Sequence, residues 1–215
     1  MSLLGKAAVL IWNDVIENER EAFYEWHDKE HIPERLSVPG FMRGRRYRGD
    51  RSHGATEWLT MYEADHLDTL TSPAYLARLN DPTPLTRRTV KAFRNTARSI
   101  CRVLRTSGQS TGGHVLTLPI AEDFETQALA CLLEKTSVLA AHVFVADETA
   151  SNIDTKEARE REFVVPKNVL FVETSTIAAA WRVFDDLRSG SAVESAAAEG
   201  GQSGVFSLEI SRLPA

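Results

Sequence analysis

Two histidines, His27 and His31, stand four residues apart in the segment Trp26-His27-Asp28-Lys29-Glu30-His31-Ile32-Pro33-Glu34-Arg35. On a helix that spacing projects both rings from nearly one face. The whole chain has 6 histidines, so the pair is a local concentration of imidazole. Three chemistries suit it. A metal pair is one, since His-Asp-Lys-Glu-His superficially resembles the zinc motif HExxH. Against it, Asp28 stands where the catalytic Glu belongs and is a methylene shorter, no third ligand is near, and Pro33 interrupts the helix; no metal is expected. Acid–base work or ligand orientation between helix and sheet is the second, because imidazole titrates near neutrality and Asp28 or Glu30 could fix its tautomer. The third is structural: a helix C-terminus favours His31 as a cation, and either ring could satisfy Glu34 or a carbonyl.

The strand-like run Phe41-Met42-Arg43-Gly44-Arg45-Arg46-Tyr47-Arg48 follows. Alternation sets Phe41, Arg43, Arg45 and Tyr47 on one face and Met42, Gly44, Arg46 and Arg48 on the other. Both faces carry arginine, and buried arginine is costly unless paired. Either salt bridges reach acidic residues of the second half, or Arg43 or Arg45 holds a ligand carboxylate or phenolate. The next strand groups Trp58, Thr60 and Tyr62, as core aromatics or as a ring-stacking wall. Asn13 ends the first strand, as a cap or as a donor at a pocket mouth. Ser72-Pro73-Ala74-Tyr75 is a helix start that brings Tyr75 near enough to close a pocket. His142, alone on an apolar strand, reads as a satisfied core residue.

The elements that must position these residues follow β-α-β-β-α-β. Ala7–Asn13 is a strand; Asn18 and Glu21 suggest a capping box, opening a helix that Pro33 ends near His31 or Ile32. Phe41–Arg48 and Glu57–Glu63 are strands joined by a hairpin loop, residues 66–94 are broken helix, and residues 95–105 are a last strand. The stretch Thr106–Gly113 reads as a linker. The same order recurs after it. His114–Pro119, Val138–Ala146, Asn168–Glu173 and Val205–Arg212 are strands. Phe124–Leu133, opened by Glu122 or Asp123, and Ile177–Leu187 are helices, with an Ala-rich stretch after the second as a short further helix. A long charged connection before Asn168 reads as an insertion at a hairpin tip. The expected fold class is α+β: two ferredoxin-like units (1–106 and 114–215, joined by 107–113) whose antiparallel sheets pack face to face in a barrel-like core with helices outside. The second half lacks the Trp–His helix, which points to one working unit and one structural partner.

Composition narrows the function classes. At 215 residues and 43% apolar content the chain can build real cores. It has no apolar run of membrane-spanning length, and its first residues read as a strand rather than a signal peptide. Its 2 cysteines, Cys101 and Cys131, are isolated, as in a reducing cytoplasm, and read as core residues. The net charge of −5 argues against nucleic-acid binding. It divides unevenly, +3 over residues 1–110 and −8 over residues 111–215. The basic half suits a small anion or the acidic half itself.

The run W-H-x-x-E-H-x-P-E-R-L-x-x-P-G-F from Trp26 to Phe41, the following R-x-R-R-Y and the later S-P-A-Y resemble the EthD-like branch of the dimeric α+β barrel superfamily over residues 5–105. Relatives include antibiotic-biosynthesis monooxygenases, muconolactone-isomerase-like proteins and aromatic-polyketide cyclases. The resemblance implies a pocket between the first helix and the sheet, and mostly cofactor-independent chemistry on aromatic or polyketide-like molecules; some members bind haem. The expectation is an isomerase, cyclase or monooxygenase with His27 or His31 as acid or base, Arg43 or Arg45 on an anionic oxygen, and Tyr47, Trp58 and Tyr62 around a ring. The alternatives are a non-catalytic carrier of a small hydrophobic acid and a haem protein. The expected assembly is a monomer or homodimer.

Overall fold

The computed structural model describes residues 2–122, 124, 127–189 and 202–215. Eight antiparallel strands close into one barrel: β1 (Ala7–Val15), β2 (Phe41–Gly49), β3 (Trp58–Ala64), β4 (Phe93–Gly108), β5 (His114–Pro119), β6 (Val138–Ala146), β7 (Asn168–Thr174) and β8 (Gly204–Arg212), in the spatial order β1-β3-β2-β8-β5-β7-β6-β4. Each half supplies a four-stranded sheet. The two face each other across the core and also join at both edges, β2 to β8 and β4 to β6. β4 makes the second joint by its length: one end pairs with β1 and the rest, through Gly108, with β6. Among the described residues no strand edge is left bare, which removes the template for unwanted pairing.

Alternation sorts the side chains. Leu10, Trp12, Leu59, Met61, Phe144, Phe171 and Phe206 fill the barrel. The opposite faces bury beneath helices. On the first half these are α1 (Arg20–Trp26), α2 (Ile32–Leu36), α3 (Pro73–Asn80) and α4 (Pro84–Lys91); on the second, α5 (Ala128–Leu133), α6 (Glu148–Ser151) and α7 (Ile177–Ser189). The proline-led starts of α3 and α4 work as their sequences suggest, with Ser72 and Thr83 hydroxyls accepting from the Tyr75 and Thr86 amides. Among the described residues, no helix is long and apolar enough to cross a membrane.

Several details depart from the sequence reading. The Asn18 capping box does not form, because residues 17–19 make a 3-10 turn and α1 starts at Arg20 without a side-chain cap. Pro33 does not end the helix. Residues His27–His31 form a π-turn in which the Ile32 amide bonds five residues back to the His27 carbonyl. The ladder shifts register there, and Pro33 becomes an early residue of α2, where a missing N–H is tolerated. Phe41 does not share a face with Arg43. A bulge at Met42 sets two residues of β2 against one of β3 and turns Phe41 outward. Cys101 is buried, but Cys131 is exposed on α5. The expected Asp123 cap and the Ala-rich helix lie outside the described residues.

The charged connection between β6 and β7 is not a free hairpin tip. It runs back as a strap over the first half: the Glu157 amide donates to the Leu79 carbonyl (3.0 Å), and Val164 exchanges hydrogen bonds with Thr96 and Arg98.

Candidate functional site

The π-turn lies on the outer face of the first half-sheet. Gly44 of β2 permits that approach, since a Cβ there would meet Ile32 Cγ2 and Tyr62 Cε1, both at 3.2 Å. His27 and His31 are 2% and 4% exposed, with stacked rings 5.8 Å apart. Phe23 stacks on His27 at 5.1 Å, and Trp26 lies 4.1 Å from the ring of His31. π-turns of this kind recur at functional sites.

A directed hydrogen-bond chain runs through His27. Arg46 Nη1 lies 3.0 Å from its Nδ1, and Tyr62 Oη lies 3.1 Å from its Nε2. A guanidinium only donates, so Nδ1 accepts and the proton sits on Nε2. Nε2–H then donates to the Tyr62 oxygen, and the tyrosine's own proton is left for another acceptor. Arg46 is anchored by Asp28 (2.5 Å) and Glu209 of β8 (2.8 Å). Arg46, rather than Asp28 or Glu30, therefore fixes the His27 tautomer; Glu30 instead accepts from Thr83 and Thr86. Burial first, then the Arg46 and Arg35 charges, hold His27 well below the usual imidazole range. Burial also pushes the Tyr62 phenol upward, keeping it protonated.

His31 differs. Its Nδ1 is buried without a hydrogen-bond partner. Burial, Arg35, His27 and Arg161 push its pKa well down, so the ring is neutral at neutral pH. The reading of His31 as a cation at a helix end fails here, because the helix continues to Leu36 and arginines face the ring. Buried Arg35 pairs with Glu34 (3.0 Å) and with Glu157 of the strap. Its guanidinium carbon stands 5.9 Å from the Tyr75 ring centroid.

The candidate residues divide between two faces of the sheet. Trp58, Tyr62 and Tyr75 lie with the histidines: Trp58 is 4.6 Å from Phe23, and Tyr62 and Tyr75 both pack on Phe41. Asn13 does not end the first strand: β1 runs on to Val15, and Asn13 is buried within it, in register with Trp58. Arg43, Arg45 and Tyr47 point into the barrel instead. There Arg43 pairs with Glu63 (2.7 Å), and Arg45 bridges Glu63 (3.1 Å) and Glu173 of the second half (3.2 Å). His142 also contacts Glu173 at 3.3 Å, and the Gly112 amide donates to the same carboxylate at 2.7 Å. The sheet itself separates this network from the histidines. The sequence reading missed Arg46, Arg35, Glu157 and Arg161. Strand alternation carried a signal for Arg46, on the face opposite Arg43; nothing local marked the strap residues as long-range partners.

The arrangement does not fit haem. Both His27 nitrogens are engaged, and the ring of His31 is packed on Trp26. Among the described residues no cluster of three potential metal ligands forms.

No family model and no curated protein matches the sequence. Solved structures do match the fold. An anthrone oxidase-like protein aligns at 13% identity over 100% of this chain and 96% of its own, with a TM-score of 0.60. Chlorite dismutase from Candidatus Nitrospira defluvii aligns at 8% over 95% and 91%, TM-score 0.52. A candidate monooxygenase from Lactobacillus acidophilus NCFM aligns at 11% over 97% of both chains, TM-score 0.51. The eight-stranded antiparallel barrel of two joined half-sheets, with helices on the outside, is thus a fold this chain shares with these solved structures.

Proposed function

We propose that this protein is a cofactor-independent enzyme acting on a small aromatic or polyketide-like carbonyl compound by proton abstraction. One observation carries the reading: the Arg46–His27–Tyr62 chain leaves a phenolic proton free to donate, beside a neutral His31 whose Nδ1 has no partner. The C–H bond next to the substrate carbonyl breaks, His31 Nδ1 takes the proton, and the enolate oxygen is held by the Tyr62 hydroxyl. His27 is a positioning residue that fixes the direction of the Tyr62 hydrogen bond. A base with a lowered pKa removes only fairly acidic protons, which selects carbon acids flanked by carbonyl or aryl groups. Arg43, Arg45 and Tyr47 lie across the sheet and have no part in this step. Glu157 of the strap is paired with Arg35 beside the site.

The test is deuterium wash-in. A panel of aryl ketones and diketones is incubated with the protein in D2O and followed by NMR. Wild type is expected to accelerate exchange at the carbon next to the carbonyl; His31→Gln is expected to abolish the acceleration and Tyr62→Phe to reduce it strongly. Exchange that survives His31→Gln unchanged would sink the assignment.

A carrier of a small hydrophobic acid is the second reading, favoured by the buried arginines around Glu157. A carrier keeps its affinity in His31→Gln and exchanges no protons.

A further inference from the structure

Three cavities open around the strap, of about 10, 270 and 670 Å³. One residue, Arg161, lines all three. The smallest lies under the strap, walled by Leu79, Ile100 and Ile153 with Arg98 and Glu157. The 270 Å³ groove lies outside it, walled by Phe93, Asn95 and Thr96. Phe93 is 6.0 Å from Trp26, and Trp26 packs on His31, so this groove backs onto the histidine site through two aromatic rings.

The charges around Arg161 are unbalanced. Arg35 and Arg98 are buried, Arg161 is half-buried with its side chain turned inward, and the buried carboxylate among them is Glu157, with Glu34 partly exposed beside it. Arg35 holds Glu157 closely, which leaves Arg161 a longer contact of 3.7 Å to the same carboxylate. The Arg161 side chain is only 6% exposed, its Nε has no hydrogen-bond partner, and its guanidinium carbon stands 5.2 Å from the Phe93 ring centroid. Nearby acids do not complete the pairing: Glu160 is engaged with Lys91 at 3.3 Å, and Glu162 is exposed. Buried guanidiniums in excess over carboxylates are costly without a further anion. Burial accordingly draws the Arg161 pKa down despite Glu157.

We infer that Arg161 is the anion-receiving residue of the ligand site, and that the ligand is a small aromatic carboxylate whose ring lies along Phe93. This deepens the reading of the histidine site and rests on it for the identity of the pocket. The guanidinium supplies a planar donor set matched to a carboxylate, and the aromatic wall beside it supplies the apolar surface. The carboxylate anchors the molecule at the strap, and the ring extends toward Trp26 and His31.

The test uses a matched pair of probes, 1-naphthoate and neutral 1-naphthamide, titrated into the full chain by calorimetry. Wild type is expected to bind naphthoate at least about tenfold tighter, the scale of one charge-assisted hydrogen bond. Arg161→Gln is expected to remove the preference while naphthamide binding stays, and His31→Gln is expected to retain it. Arg161→Gln without ligand is expected to melt no lower than wild type; a clear drop would mean Arg161 is a structural partner of Glu157 and would overturn the inference. Should that variant fail to fold, the wild-type salt dependence decides: naphthoate affinity falls with salt and naphthamide affinity does not. Equal affinities in wild type, absence of binding by both probes, or a preference that survives Arg161→Gln overturns the inference. Deuterium exchange that still depends on His31 would leave the proton-abstraction reading standing in each of those cases.

Discussion

The two outer faces of the barrel solve one packing problem with different chemistry. On the second half, α5 and α7 lie over Leu116, Leu118, Leu170 and Val172 and bury Leu129, Leu132, Val183 and Phe184, an apolar layer throughout. On the first half the equivalent space holds His27, His31, Arg35, Arg46 and Tyr62, all buried. A ferredoxin-like half-sheet therefore does not need polar groups under its helices. Their presence on one side, with an orphaned imidazole nitrogen and a directed donor chain, is the difference on which the proposed site rests.

That contrast can be broken most forcefully by core substitutions. Leu129→Ala in the second half is expected to cost about 2–5 kcal/mol in urea denaturation, with no change in proton exchange per folded molecule. His31→Phe removes a buried polar atom that has no partner, so stability is expected to stay within about 1 kcal/mol of wild type while exchange is lost. Equal destabilisation by the two would make the polar layer architectural.

Acid titration sharpens the same comparison. Both site histidines have pKa values below those of the unfolded chain. The unfolded state therefore binds more protons once pH drops below about 6.5. The contribution is full above that pH and is lost as pH falls toward the folded-state values, at up to about 1.4 kcal/mol per pH unit for each ring. Denaturation midpoints at pH 5, 6 and 7 should show the slope, and a His27→Gln/His31→Gln double variant should flatten it.

Tyr62→Phe leaves the His27 Nε2–H buried without its acceptor, an expected loss of about 1–3 kcal/mol. A loss of proton exchange larger than the stability change would separate the tyrosine's chemistry from its packing. The smallest effect is expected on the second half's surface. Lys135→Ala breaks an exposed pair with Asp186 and should shift stability by less than about 1 kcal/mol. A larger shift would mean that the scaffold face carries electrostatic structure of its own.

The strands and their order were legible because each apolar run is short and bounded by turn residues; Val138–Ala146 and His114–Pro119 match to the residue. The histidine pair stood out by its spacing; its company with Trp58 and Tyr62 was implied by the family resemblance, which also set Tyr47 there, whereas Tyr47 lies inside the barrel. What failed depended on single-residue register. The bulge at Met42 and the π-turn each add one residue to a regular element, and no periodicity announces such an insertion in advance. The strap failed for a different reason. Its charge run reads as solvated loop, and only the tertiary fold reveals that Glu157 and Arg161 are buried against Arg35 and Phe93.

The two joints of the barrel, β2 with β8 and β4 with β6, have a consequence for how such a chain can diversify. A half-sheet with two bare edges depends on meeting a second half, so its folding is tied to how much protein is present. Tethering both halves in one polypeptide replaces that encounter with a fixed local concentration. It also removes the requirement that the two halves be identical. Each can then accumulate substitutions that a symmetric assembly would have to accept twice, as the polar layer under one set of helices and the apolar layer under the other illustrate.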